Sequence, residues 1–275
     1  VMAGAPAAYA LCRPPGHHAF VDVAGGFCFI NNSAVAAQVL RKQAARVAIL
    51  DVDLHHGNGT QGIFYARPDV LTVSLHADPV RFYPFFWGHA DERGEGAGLG
   101  YNFNLPLPRK SADAAFLEAL KAAFQRIRAF SADALVVALG LDAFEGDPFG
   151  GLSVTTPGFS RIGEAIARLG LPTVIVQEGG YLCDQLGDNL AAFLTGFGGK
   201  ARDKANIVVG ARHREIRLIG DIDGIHARKS CRPAGRIAPI ERGRRRARAD
   251  AHVISPRSQP LGHGTPGFAF ATQNQ

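Results

Sequence analysis

RVAILDVDLHHGNG, residues 46–59, decides how this chain is read. It opens with an unbroken apolar run at 47–50 and then turns to Asp, His and Gly. A run that is apolar at every position, rather than at alternate ones, suits a strand buried on both faces of a parallel sheet. In extended backbone, residues two apart share a side, so Asp51, Asp53 and His55 are expected to emerge on the same face. Carboxylates and an imidazole gathered in this way call for a cation or a proton among them.

The flanking sequence alternates short apolar runs with longer helical patterns. Strands are expected at residues 8–12, 46–53, 70–76, 134–139 and 172–177, with an edge strand at 101–107, because Pro106 and Pro108 exclude a central one. Helices are expected at 32–43, capped by Asn31 or Asn32, at 60–66, at 111–130 with Ser111 as N-cap, and around 159–169 and 185–197. Phe116, Leu120, Phe124 and Ile127 give the third of these a clear apolar stripe. Strands alternating with helices imply a doubly wound, mostly parallel α/β sheet with helices on both faces. In such sheets functional groups gather beyond the carboxyl ends of the strands. Each unusual polar cluster, at 13–18, 51–58, 74–78, 142–147 and 178–181, directly follows an expected strand.

Asp142 follows the strand at 134–139 and completes a site with Asp53 and His55. Three ligands of N and O type, with a position left for water, describe a catalytic zinc rather than a structural one. Arg13-Pro14-Pro15-Gly16-His17-His18 places two imidazoles on a stiff loop, where a neutral one can carry a proton. Glu178-Gly179-Gly180-Tyr181 presents a hydroxyl able to donate to a developing oxyanion. The plainer alternatives are that Asp51 and Asp53 cap a turn, that His55 packs beneath a loop and that Tyr181 lies on the surface.

The remaining composition bounds the function. The chain has 275 residues and a net charge of +6, unevenly spread. Residues 1–200 carry 15 basic against 18 acidic groups, and residues 201–275 carry 15 against 6. The Arg-rich run at 242–248 has no interleaved aromatics for base stacking, so a solvated tail is favoured over a nucleic-acid interface. Two domains are therefore expected, a catalytic one over 1–200 and a basic tail over 201–275 with little packed structure. Cys12, Cys28, Cys183 and Cys231 form no Cys-x-x-Cys pair, which speaks for buried free thiols over a disulfide framework or thiolate cluster. No apolar run reaches the roughly 18 to 20 residues of a membrane span, and residues 1–15 lack the pattern of a secretory leader. The expected location is the cytoplasm.

RPPGHHA at 13–19, GGFCFINNSAVAA at 25–37, DVDLHHGNGTQ at 51–61, SLHADP at 74–79 and EGGY at 178–181 together resemble the histone deacetylase superfamily. Within it, FYPFFWGHADERGEG at 82–96 and GLDAFEGDP at 140–148 look most similar to bacterial acetylpolyamine amidohydrolases and class II histone deacetylase-like amidohydrolases. The resemblance covers roughly residues 5–200. It implies an arginase/deacetylase-like fold, zinc on Asp53, His55 and Asp142, and hydrolysis of acetylated amines or acetyl-lysine. It implies His18 as general base and acid, His17 as its electrostatic partner oriented by Asp51, and Tyr181 polarising the acetyl carbonyl. Asn58 stands where some relatives pair an Asp with the second histidine, and a neutral amide favours a neutral His18. Phe27 and Tyr83 would line the substrate tunnel, and Gly26, Gly179 and Gly180 would belong with them to the substrate-binding residues. A structural potassium ion near Asp51, Asp53, His55, Ser74 and Leu75 is also implied.

In this family the His-His motif lies well over a hundred residues into the domain, so the sheet is expected to lack its N-terminal strands. Three other readings stay open: an inactive truncated homologue, a ureohydrolase with paired manganese ions, and a binder of acidic partners through residues 242–248. The long loop at 77–100 is a candidate contact for a homodimer.

Overall fold

The computed structural model describes residues 1–199, 207–211 and 214–217. Its strands are β1 (Ala7–Ala10), β2 (Val47–Asp51), β3 (Val70–Ala77), β4 (Asn102–Leu107), β5 (Ala134–Leu139), β6 (Thr173–Gln177), β7 (Ile207–Ala211) and β8 (Arg214–Arg217). The helices are α1 (Asn32–Leu40), α2 (Asn58–Phe64), α3 (Asp113–Phe130), α4 (Thr156–Ala167) and α5 (Leu186–Gly198). Among the described residues the strands form one sheet in the order β4-β3-β2-β5-β6-β1-β7-β8. Every neighbouring pair is parallel except β7 with β8.

The central strands have the two-sided burial expected of a parallel sheet. β2, β3 and β5 are buried at every position, and alternate residues serve different cores. Val47 and Ile49 of β2 pack with Ala37 and Leu40 of α1 and Phe64 of α2. Ala48 and Leu50 face the other way, into a core with Phe116 and Leu120 of α3, Phe159 of α4 and Phe193 of α5. Helices thus cover both faces, as a doubly wound sheet requires.

Several boundaries differ from the sequence expectation, two of them for identifiable reasons. β2 ends at Asp51, so Asp53 and His55 lie in the turn beyond it. Strand alternation does not bring them together. Instead the Asp51 carboxylate accepts the Asp53 N–H at 3.0 Å, and the Asp53 carboxylate accepts the His55 N–H at 2.8 Å. These are successive side-chain turns of the kind Asp favours. α2 begins at Asn58 rather than residue 60. Ser111 is not the cap of α3; the capping position is Ala112, which has no side-chain bond to give. The chain there is held extended, because Ala112 bridges Ser153 and Ser111 O accepts the Ser153 N–H. Asn31 does cap α1, its side chain accepting the Ala34 N–H at 2.8 Å.

β4 is an edge strand, as Pro106 and Pro108 led one to expect, and among the described residues it pairs with β3 alone. β1 is paired on both sides, by β6 and by β7. β7 and β8 fall within the segment expected to hold little packed structure, whereas the Arg-rich run and Cys231 lie outside the described residues. Cys28 is buried, and Cys12 and Cys183 are half-buried. No described helix is long and apolar enough to cross a membrane.

Candidate metal centre

Because β1, β2, β3, β5 and β6 run parallel, the polar loops after them meet at one edge of the sheet. Asp53 and His55 come from the turn after β2, and Asp142 comes from the loop after β5. Their ligand atoms all lie within 4.8 Å of one another. His55 Nδ1 is 3.1 Å from Asp142 Oδ2 and 3.4 Å from Asp53 Oδ1. All three residues are buried. Among the described residues this is the one such cluster, so the second ligand set that paired manganese ions need is not found there.

The donor set fits a divalent cation. Burial and the charge of Asp53 push the Asp142 carboxyl up to about 7. Burial opposes charge on His55, yet its bonds to Asp142 and Asp53 outweigh this and raise it to about 9. Two carboxylates that resist being charged together, and an imidazole drawn towards both, are reconciled by a metal ion that all three can ligate. The free carboxylate atoms are already oriented. Leu54 N donates to Asp142 Oδ1 at 3.0 Å, and Gly179 N donates to Asp53 Oδ2 at 2.8 Å. A methyl group at Gly179 would fall among the oxygens of Asp142 and Asp53, so only glycine leaves this space for an ion.

His17 and His18 sit beside the cluster in contrasting surroundings. His17 Nδ1 lies 2.9 Å from Asp51 Oδ2, and its Nε2 lies 3.7 Å from Asp53 Oδ1. Burial disfavours charge there, but Asp53 and Asp51 prevail and raise its pKa well above the ordinary value. His18 Nδ1 lies 2.7 Å from Asn58 Oδ1. An amide oxygen only accepts, so His18 carries its proton on Nδ1 and Nε2 is the basic nitrogen. Burial, then the neighbouring His17, lowers the His18 pKa well below its usual range. The two adjacent imidazoles are thus shifted in opposite directions, His17 upward and His18 downward.

Tyr181 follows the two glycines after β6. Its N–H donates to Asp147 Oδ2 at 3.0 Å, and its ring lies 4.4 Å from that of Phe149. Burial, then the charges of Asp142, Asp53 and Asp147, raises its hydroxyl pKa, so the group remains a proton donor at neutral pH. Phe27 and Tyr83 flank the same space. The Phe27 ring is 6.4 Å from Tyr181 and the Tyr83 ring 4.8 Å from His18. Gly26 has φ 52°, and a side chain there would strike His18. Gly180, at φ 126°, turns the chain towards Tyr181. Ser74 stands opposite Asp51 in the sheet, but its Oγ is engaged with His76 Nδ1 at 2.8 Å. The Leu75 side chain is in the core, leaving its carbonyl as the group it can offer.

Sequence reading missed several members of this site. Phe82 stacks on His55 at 5.1 Å and Phe149 meets it edge-on at 5.5 Å. Asp147 holds Tyr181 and also accepts the Phe149 N–H at 2.9 Å. The local Asp-x-Phe turn at 147–149 was the available signal.

Residues 1–197 match the family model described as the histone deacetylase domain. The chain belongs to that family. It is 60% identical over 198 residues to an acetylpolyamine amidohydrolase of Burkholderia pseudomallei, covering 72% of this chain and 58% of that protein. It is 40% identical over 189 residues to a histone deacetylase 8 of Arabidopsis thaliana, covering 63% of this chain and 49% of that one. Among solved structures, a crystal structure of the acetylpolyamine aminohydrolase from Burkholderia pseudomallei superposes with a TM-score of 0.70 at 60% identity, covering 71% of this chain and 57% of that one. The HDA15 HD domain superposes with a TM-score of 0.66 at 39% identity, covering 72% and 57%. The chain therefore spans under three fifths of the length of the acetylpolyamine amidohydrolase it matches.

Proposed function

We propose that this chain hydrolyses the acetyl-amide bond of acetylated amines, with zinc held by Asp53, His55 and Asp142. The observation that carries the reading is the pairing of that buried ligand group with His18, whose Nδ1 meets the Asn58 amide oxygen at 2.7 Å, at one edge of the sheet. Zinc bound there supplies Lewis acidity towards the acyl oxygen and makes water easier to deprotonate. His18 Nε2 takes a proton from water as the oxygen adds to the acetyl carbon. The Tyr181 hydroxyl donates to the acyl oxygen as it gains charge. Protonated His18 then passes its proton to the departing nitrogen as the C–N bond breaks, leaving acetate and the free amine. His17, between Asp51 and Asp53, adds to the effect of burial in lowering the pKa of His18. Phe27, Tyr83 and Phe149 bound an apolar space suited to an aliphatic amine chain.

The resemblance to acetylpolyamine amidohydrolases favours a small acetylated polyamine as substrate, with acetyl-lysine in a peptide as the competitor. A structural potassium ion near Asp51, Asp53, His55, Ser74 and Leu75 belongs to the same reading. So does a second copy of the chain against the 77–100 loop, where Phe86 is 85% exposed. Scattered cysteines without a disulfide pattern suit a cytoplasmic location. Turnover of acetylputrescine against an acetyl-lysine peptide, with and without added zinc, tests the reading. Zinc-dependent release of acetate from the polyamine supports it, and a folded, zinc-loaded chain that turns over neither substrate overturns it.

A further inference from the structure

Glu178 directly follows β6, and its carboxylate is buried, with its hydrogen bonds going elsewhere than to the ligand cluster. Oε2 accepts the Gly16 N–H at 2.6 Å and the His17 N–H at 3.0 Å. Oε1 accepts the Ser33 hydroxyl at 2.7 Å. These partners lie more than 140 residues away in sequence. Two of them are successive amides of the loop after β1, and the third is in the first turn of α1. Successive N–H groups converging on one oxygen form a concave anion seat, and a buried carboxylate is tolerated only when its lone pairs are met in this way. The opposite side of the loop is tied as well, since Thr60 N donates to His17 O at 3.0 Å. The main chain bearing both imidazoles is thus suspended between Glu178 and α2. From that position His17 reaches Asp51 and His18 reaches Asn58.

We propose that Glu178 is a positioning residue: its carboxylate fixes the main chain from which His17 and His18 present their rings. It governs turnover while touching neither substrate nor metal. The inference rests on the reading of His18 as the proton carrier.

Three variants of the full chain separate this role from general stability. Glu178→Gln keeps one oxygen for the two amides and an amino group for Ser33 Oγ. Glu178→Ala removes all three contacts, and Glu178→Asp draws the carboxylate back by one methylene. The readouts are kcat and KM for acetylputrescine, zinc content, and amide hydrogen exchange at Gly16 and His17. Glu178→Ala is expected to lower kcat by roughly tenfold or more, with KM within about threefold and zinc retained, as a misplaced proton carrier predicts. Exchange at the two amides should quicken by roughly tenfold or more. Glu178→Gln should stay within about threefold of the parent in every readout. Parental kcat and exchange in Glu178→Ala, or a Gln variant as impaired as Ala, would overturn the inference. If Glu178→Ala does not fold, Glu178→Asp takes its place with the same criteria. A parent without turnover defeats the functional reading alone, and the exchange measurement then decides the role of Glu178.

Discussion

His17 and His18 are chain neighbours with opposite electrostatics, and the difference lies in their partners. Carboxylates face both nitrogens of the first; an amide oxygen faces one nitrogen of the second. In the proposed reaction His18 carries the proton, and the raised pKa of His17 beside it opposes charge on His18. With Tyr181 as the proposed donor to the acyl oxygen, Tyr181→Phe should lower kcat by about a hundred- to a thousandfold while zinc content is unchanged. Parallel turnover and zinc assays check this, and a variant with parental kcat would remove Tyr181 from the reaction. Gly179→Ala should act on the ligands instead, because its methyl group intrudes on Asp53 and Asp142. Zinc affinity, measured by competition with a chelator, is expected to fall roughly tenfold or more. At this scale much was legible beforehand, because Asp51, Asp53, His55, Asp142 and Tyr181 interrupt or follow apolar runs where polar groups need a purpose. Glu178 and Phe82 were not assigned their parts, since their partners come from distant segments that only the fold brings close.

Elements were legible in proportion to their periodicity. β2 and β5 were evident from continuous apolar runs, and α3 from its stripe. Their ends were less so, because ends are set by bonds to other segments. The Ala112–Ser153 bridge delays α3, and side-chain turns at Asp51 and Asp53 end β2 early. One such connection gives a measurable pH dependence. Arg67 donates twice to Asp69, at 2.9 and 2.6 Å, and Arg41 from the end of α1 donates at 2.7 Å. Arg67 foremost, with Arg41, holds the Asp69 carboxyl well below the usual carboxylate range. A depressed folded value stabilises the protein above the unfolded value of about 3.9, and that stabilisation is lost as pH falls through the folded value. Asp69→Asn should therefore lower the melting temperature near neutral pH, with the gap to the parent narrowing below about pH 4. Thermal unfolding across pH checks this; a gap that widens towards acid would contradict it.

Across the whole molecule, parallel strands bring five polar loops to one edge, and the site is a consequence of that topology. The doubly wound class was readable from alternating elements, but the strand order was not, because nothing local records that β1 lies between β6 and β7. The account depends on loops from β2 and β5 sharing one ion. X-ray absorption at the zinc edge, on the full chain carrying one equivalent of zinc, tests this most directly. The prediction is a shell of nitrogen and oxygen neighbours at about 2.0 to 2.2 Å, lost in Asp142→Ala. A sulfur shell near about 2.3 Å, or a spectrum unchanged by Asp142→Ala, would contradict it.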